Sequence, residues 1–161
     1  MQGGIIMKNI SYIEDFETWV SSFTYSFPVK VRFSETDLFG HLNNTKVFVY
    51  FEEGRIEFFK KIGIMQQWLA NSGDGIPVTS DLQCDYLRQI YFDERLSVFV
   101  KIHTIGRTSV DLHYMIKNER DEICITGRGR MVQVHKKTGK PFEWDEKMMN
   151  NLKSSVSSVN I

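Results

Sequence analysis

Asp37 is the residue of this 161-residue chain best placed to do chemistry. It lies in the polar stretch Val31-Arg32-Phe33-Ser34-Glu35-Thr36-Asp37-Leu38-Phe39-Gly40-His41-Leu42-Asn43-Asn44, between an alternating apolar segment and a long segment of helical periodicity. A carboxylate on such a loop can serve as a base or a nucleophile. The helix that follows offers free backbone N–H groups and about half a positive charge at its start. Aimed at a carbonyl oxygen, those groups stabilise the negative charge that develops in acyl transfer. Gly40 lets the backbone turn sharply between Asp37 and Asn44. Taken alone, Asp37 reads more readily as a turn or capping residue, since Asp favours both.

The neighbours of Asp37 carry two readings each. His41 can act as a general acid or bond to a substrate, or it can pack and order the loop. Asn43 and Asn44 suit a helix cap, a role that also fixes where the next N–H groups point. Glu35 is the rival carboxylate, expected to face solvent or a salt bridge. Glu52 and Glu53 sit on the helix, where a Glu52–Arg55 pair at i,i+3 is the simpler reading. His103, His113 and His135 fall on strands without partner spacing and are expected at the surface.

These residues are positioned by a readable series of elements. Ser11 and Glu14 have capping-box spacing, and the segment about 12–23 reads as a short N-terminal helix. Tyr25, Phe27, Val29, Val31 and Phe33 share one parity, which predicts a strand. Thr45 to Ile62 carries a broad apolar face and predicts a largely buried helix, with Gly63 placed to end it. Ile64 to Asn71 reads as a second, short helix. From there the chain is strands: Pro77 to Leu87, Leu96 to Ile105, a set around Val110 to Ile116, and Ile123 to His135. A hairpin tip falls at Asn118 to Asp121. Asp145 to Lys153 predicts a short helix, and Ser154 to Ile161 a frayed end. Short turns between strands imply antiparallel pairing. An α+β fold results, one antiparallel sheet wrapped around one apolar helix, with a core about 25–143 in a domain spanning 1–161.

Composition narrows the function classes. A hydrophobic fraction of 42% supplies a real core. Lys+Arg and Asp+Glu are 20 each, so nothing draws the chain as a whole to nucleic acid or an anionic membrane. No apolar run approaches the ~18 residues of a membrane span. The start, Met1 to Met7, is too short and polar for a signal peptide, and Met7 is an alternative start. The reading is a cytoplasmic protein in which Cys84 and Cys124 are reduced thiols, although a disulfide is open on number alone. There is no Gly-x-Ser-x-Gly elbow, Walker loop, Gly-x-Gly-x-x-Gly or His-Glu-x-x-His. Nothing in the sequence calls for a metal or cofactor.

Glu35-Thr36-Asp37, Gly40-His41-Leu42-Asn43-Asn44 and Tyr50-Phe51-Glu52-Glu53-Gly54-Arg55 together resemble the signature of the 4-hydroxybenzoyl-CoA thioesterase family, in its bacterial acyl-CoA thioesterase branch. The likeness continues through Gly63, Cys84-Asp85-Tyr86-Leu87-Arg88 and Phe92-Asp93-Glu94-Arg95-Leu96-Ser97-Val98, covering roughly Phe27 to Lys140. It implies a hotdog fold and hydrolysis of acyl-CoA to free acid and CoA. Asp37 then attacks the thioester or activates a water, and N–H groups near Asn43 and Asn44 form the oxyanion hole. Many relatives carry a Tyr where this chain has Val47. The acyl group is expected against Leu38, Phe39, Gly40, Val47 and Phe48. CoA phosphates are expected on two or three of Arg88, Arg107, Arg128, Arg130, Lys136, Lys137 and Lys140. The resemblance further implies a homodimer or homotetramer with its site between subunits. An acyl-carrier-protein thioesterase and a non-catalytic acyl-CoA sensor are the alternatives.

Overall fold

A computed structural model describes residues 9–156, so the readings at Met1 to Met7 and over 157–161 lie outside it. The chain runs α1 (Phe16–Ser21), β1 (Ser26–Lys30), a 3-10 turn (Phe33–Glu35), α2 (Lys46–Lys61), α3 (Ile64–Leu69), β2 (Gly75–Tyr86), β3 (Arg95–Ile105), β4 (Ser109–Asn118), β5 (Ile123–His135) and α4 (Glu146–Ser154). The strands form an antiparallel sheet in the order β1-β3-β4-β5-β2. β3, β4 and β5 are joined by short turns. β2 crosses over to pair with β5, leaving β1 and β2 as edges.

The alternation of β3 and β4 places Val98, Val100, Ile102, Leu112, Tyr114 and Ile116 on the concave face, all at most 2% exposed. α2 lies in that face and contributes Val47, Tyr50, Phe51, Phe58 and Phe59 to the same core. Gly54 allows the close approach, because a Cβ there would fall 2.9 Å from Val98 Cγ1. Gly63, at φ 82°, ends the helix in the left-handed region and turns the chain into α3. A sheet curved around one buried helix is the hotdog arrangement that the resemblance implies. The Glu52–Arg55 pair forms as expected, at 3.5 Å.

Residues before β1 cover the convex face. Trp19, Phe23 and Met115 form a second apolar cluster there, joined by Tyr12, Ile13, Val20, Phe99 and Ile123. Trp19 Nε1 donates to His113 Nδ1 (2.8 Å). His113 is 1% exposed and stacks on His103 at 4.0 Å. The surface position expected for His113 is therefore wrong, because the N-terminal segment folds back over it. Burial, reinforced by His103, Lys101 and Arg128, lowers its pKa to about 2. Lys101 is buried beside Ser22, and desolvation lowers it to about 8.

Several boundaries also differ from expectation. The N-terminal helix is confined to Phe16–Ser21. Asp15 is its cap, accepting from Glu17 N–H (3.2 Å) and Thr18 Oγ1 (2.8 Å), and Ser11 lies in the turn before it. The first strand stops at Lys30 rather than Phe33. Arg32 N–H donates to Glu35 Oε1 (2.8 Å), winding the chain into the 3-10 turn and leaving Phe33 exposed. Ser154 closes α4, and Val156 packs on the core, against the frayed end expected from Ser154. No disulfide joins Cys84 and Cys124, and burial pushes the Cys124 pKa up to about 11.

Candidate functional site

The loop from Thr36 to Leu42 is a short closed turn built around Asp37. Asp37 N–H donates to His41 O (2.7 Å), and Gly40 N–H returns to Asp37 O (3.1 Å). Gly40 stands at φ 78°, in the left-handed region where a side chain is disfavoured. Inside this turn Asp37 Oδ1 accepts two backbone bonds, from Phe39 N–H (2.8 Å) and His41 N–H (3.1 Å). The second oxygen, Oδ2, receives no hydrogen bond from the described residues. One half of the carboxylate is thus fixed and the other half is open. The loop is pinned from outside by Leu42 N–H to Ile90 O (2.7 Å) and by the His41 ring edge-on to Tyr91 at 5.1 Å.

The start of α2 is braced independently. Asn43 Oδ1 accepts from Thr45 N–H (3.0 Å) and Thr45 Oγ1 (2.8 Å), so the amide acts as the cap. Asn43 N–H donates to Glu35 O (2.8 Å). Glu35 Oε1 also takes the Tyr50 hydroxyl (2.9 Å), and burial followed by this bond raises the Tyr50 pKa. The rival carboxylate is therefore a brace, tying the 3-10 turn to the helix. Among the described residues the Asn44 N–H meets no acceptor, while Asn44 O accepts the Tyr86 hydroxyl (2.7 Å).

A cavity of about 440 Å³ opens beside these groups, lined by Asp37, His41, Leu42, Asn44, Val47 and, across from them, Tyr86 to Ile90 and Ile125. The structure thus gathers Asp37, His41, Asn44, Val47 and Arg88 around one space. Asn43 stands behind it as the cap. Leu38 and Phe39 are 94% and 78% exposed at the turn tip with Gly40, outside the lining, and Phe48 is half-buried on α2 against Phe51. Tyr86 is a site residue that sequence reading missed, as it missed Leu87, Gln89, Ile90 and Ile125 in the lining. Its signal was present, since it ends a strand inside the matched stretch Cys84 to Arg88.

The cations divide by position. Arg88 lines the cavity, its Nη1 held by Glu122 (3.0 Å) and its buried Nε without an acceptor among the described residues. Arg128 is bound by Asp111 (2.7 Å) and Asp81 (3.0 Å), and Arg130 shares Asp111 at 3.5 Å. Arg107 pairs with Glu143. Lys136 donates to Gly73 O (2.6 Å) at the start of β2. From Ile125 to His135 the strand covers roughly 33 Å, so the lysine turn lies at the far end of β5 from the cavity. Among the described residues no group of three or more His, Cys, Asp or Glu is placed to hold a metal ion. No helix there is long and apolar enough to cross a membrane.

The arrangement suits acyl transfer. A carbonyl in the cavity would have an open carboxylate oxygen at one side and the first N–H groups of α2 at another. The comparisons agree. A family model described as the thioesterase-like superfamily matches residues 31–152. The chain is 43% identical over 147 residues to the uncharacterised protein YsmA of Bacillus subtilis (strain 168), covering 91% of this chain and 97% of that one. A solved thioesterase from Thermus thermophilus, complexed with coenzyme A and Zn, is 26% identical. It aligns with a TM-score of 0.69 over 83% of this chain and 95% of its own. A DHNA-CoA thioesterase from Staphylococcus aureus aligns with a TM-score of 0.72 at 23% identity, over 84% and 91% of the two chains, which shows the shared fold.

Proposed function

Because the chain belongs to the thioesterase-like superfamily, we propose that it hydrolyses an acyl-CoA thioester to free acid and CoA in the cavity beside Asp37. The observation that carries this reading is the half-fixed carboxylate. Asp37 lines the cavity, two backbone N–H groups hold its Oδ1, and Oδ2 receives no hydrogen bond from the described residues. That oxygen can attack the thioester carbonyl, or it can take a proton from an attacking water. Both routes place negative charge on the carbonyl oxygen, where the Asn44 N–H and the start of α2 stabilise it. Thiolate is a good leaving group, so the reading calls on no metal or cofactor. His41 lines the same space and can bond to the substrate.

The reading includes a dimer. β2 is a 12-residue edge strand with Ile76 and Val78 exposed, an unpaired ladder that a second copy would complete. Antiparallel pairing of two copies about the middle of β2 would set Gly75 of one opposite Tyr86 of the other. The Lys136–Lys140 turn of a second copy would then stand beside Arg88 and supply the cations for CoA phosphates that one chain places too far away. The CoA-bound relative from Thermus thermophilus supports the substrate class.

Release of CoA thiol from a panel of acyl-CoAs tests the reading directly. Wild type should turn over at least one member. Asp37→Asn keeps an oxygen for the Phe39 and His41 bonds, so it should fold normally and lose at least ~10²-fold in kcat. Near wild-type activity in that folded variant would overturn the assignment of Asp37.

A further inference from the structure

The cavity beside Asp37 is walled on its inner side by Val47 of α2 and Ile125 of β5. The next residue inward on the same face of the helix is Phe51, one turn on. The next on the same face of the strand is Gly127. Phe51 is 0% exposed, and its ring lies on Tyr114 at 4.3 Å with the planes 9° apart. A Cβ at Gly127 would fall 2.4 Å from the Phe51 ring. The bare backbone of β5 at Gly127 is therefore filled by that ring rather than by a side chain of its own. Two residues further along the strand, Leu82 covers Gly129 in the same way, with Cδ2 at 2.6 Å from the Cβ position. Behind the ring, the Tyr114 hydroxyl and Arg55 Nη1 are buried polar groups. Such polar groups are poor surroundings for the methyl end of a long chain.

We propose that Phe51 is the floor of the acyl site and limits the substrate to short-chain or single-ring acyl groups. The inference rests on the hydrolytic reading above and deepens it. The ring stands behind the wall that Val47 and Ile125 make, in the same packed core as both, so a chain that passes between them meets it next. One helical turn is about 5.4 Å, roughly four methylene units. Shortening Phe51 should therefore admit an acyl chain longer by about that amount at most.

The test measures kcat/KM for straight-chain acyl-CoAs from acetyl to palmitoyl, with benzoyl-CoA added. The enzymes are wild type, Phe51→Leu, Phe51→Val and, as a control, Phe59→Leu. Phe59 is a buried ring of the same helix that packs edge-on to Trp68, away from the cavity. Wild type should lose on the order of tenfold for each methylene beyond the limit. The Phe51 variants should move the fall to longer chains and raise the long-to-short ratio by about tenfold or more. Phe59→Leu loosens the same core without opening the floor and should leave the ratio unchanged. Wild type that takes palmitoyl-CoA as well as butyryl-CoA overturns the proposal, as does an unchanged ratio in folded Phe51 variants. Binding of non-hydrolysable S-alkyl-CoA thioethers to wild type supplies a readout that needs neither turnover nor a variant. Affinity that breaks off at a short chain supports the floor, and affinity that rises steadily to hexadecyl overturns it. Absence of thiol release from every acyl-CoA, with the break in thioether affinity retained, would overturn hydrolysis and leave the floor standing.

Discussion

Lowering the pH should loosen the N-terminal segment from the convex face through His113. Its Nδ1 accepts the Trp19 hydrogen at 2.8 Å and must be unprotonated to do so. The groups around it offer little to a second proton: Tyr12 edge-on, His103 stacked, and Lys101 and Arg128 both cationic, with Asp111 and Glu14 acting on the stacked His103. Desolvation, then those cations, lowers the His113 pKa from 6.5 to about 2. The unfolded chain titrates near the ordinary 6.5. Below that pH the unfolded state holds a proton that the folded state refuses. A depression of this sign contributes stability fully above about pH 6.5, and the contribution declines as pH falls toward about 2. One pH unit corresponds to about 1.4 kcal/mol, so at about pH 5 the loss through His113 is roughly 2 kcal/mol. Urea unfolding at about pH 7.5, 6 and 5, followed by tryptophan fluorescence, measures this. The comparison is His113→Gln, whose amide oxygen can accept the Trp19 bond but does not titrate. The variant should lose most of the fall in stability between about pH 6.5 and 5. Equal pH slopes in the two proteins would refute the argument.

Three further outcomes follow from the geometry. Tyr86→Phe removes the 2.7 Å bond to Asn44 O, worth about 1 kcal/mol net, and should lower kcat roughly fivefold with little change in fold by circular dichroism. An unchanged kcat would show that Tyr86 does not hold the start of α2. Raising salt above ~0.15 M should raise KM for acyl-CoA and leave that of the acyl-pantetheine analogue nearly unchanged, because screening weakens phosphate contacts and not apolar ones. Identical responses would exclude a basic grip on the nucleotide. Gly54→Ala forces a methyl to 2.9 Å from Val98 Cγ1 and should cost about 1–3 kcal/mol of unfolding free energy. A variant as stable as wild type in urea would mean that α2 stands further from the sheet.

The helix and strands that frame the site were legible because each is governed by local patterns. The apolar face of Lys46–Lys61, stopped by Gly63, marks α2 from sequence alone. The alternation of β3, β4 and β5 does the same for the sheet. Asp37 was legible because its loop chemistry is also local, with Gly40 supplying the turn. The first strand was read too long because Phe33 keeps the parity of Val29 and Val31. What stops the strand is Glu35 reaching back to Arg32, which parity does not register. Leu38 and Phe39 looked like cavity residues by proximity to Asp37, yet the turn that fixes the carboxylate aims them outward. His113 was misjudged for the opposite reason. Its partner Trp19 is far away in sequence, and only the folding back of the N-terminal segment brings them together.

The strand order carries a consequence for how the molecule assembles. β3, β4 and β5 pair with their sequence neighbours, so their contacts are local and form quickly. β2 precedes them but pairs with β5, Gly75 facing His135 and Tyr86 facing Ile125, a closure of roughly 40 to 60 residues. It is therefore expected to dock late, once the three-stranded meander exists. β2 ends in Tyr86, and the segment beyond it holds Arg88, so one wall of the cavity is the last to be put in place. Refolding should show tyrosine and tryptophan burial before catalytic competence. Coincident return of the two signals would place β2 in the early nucleus.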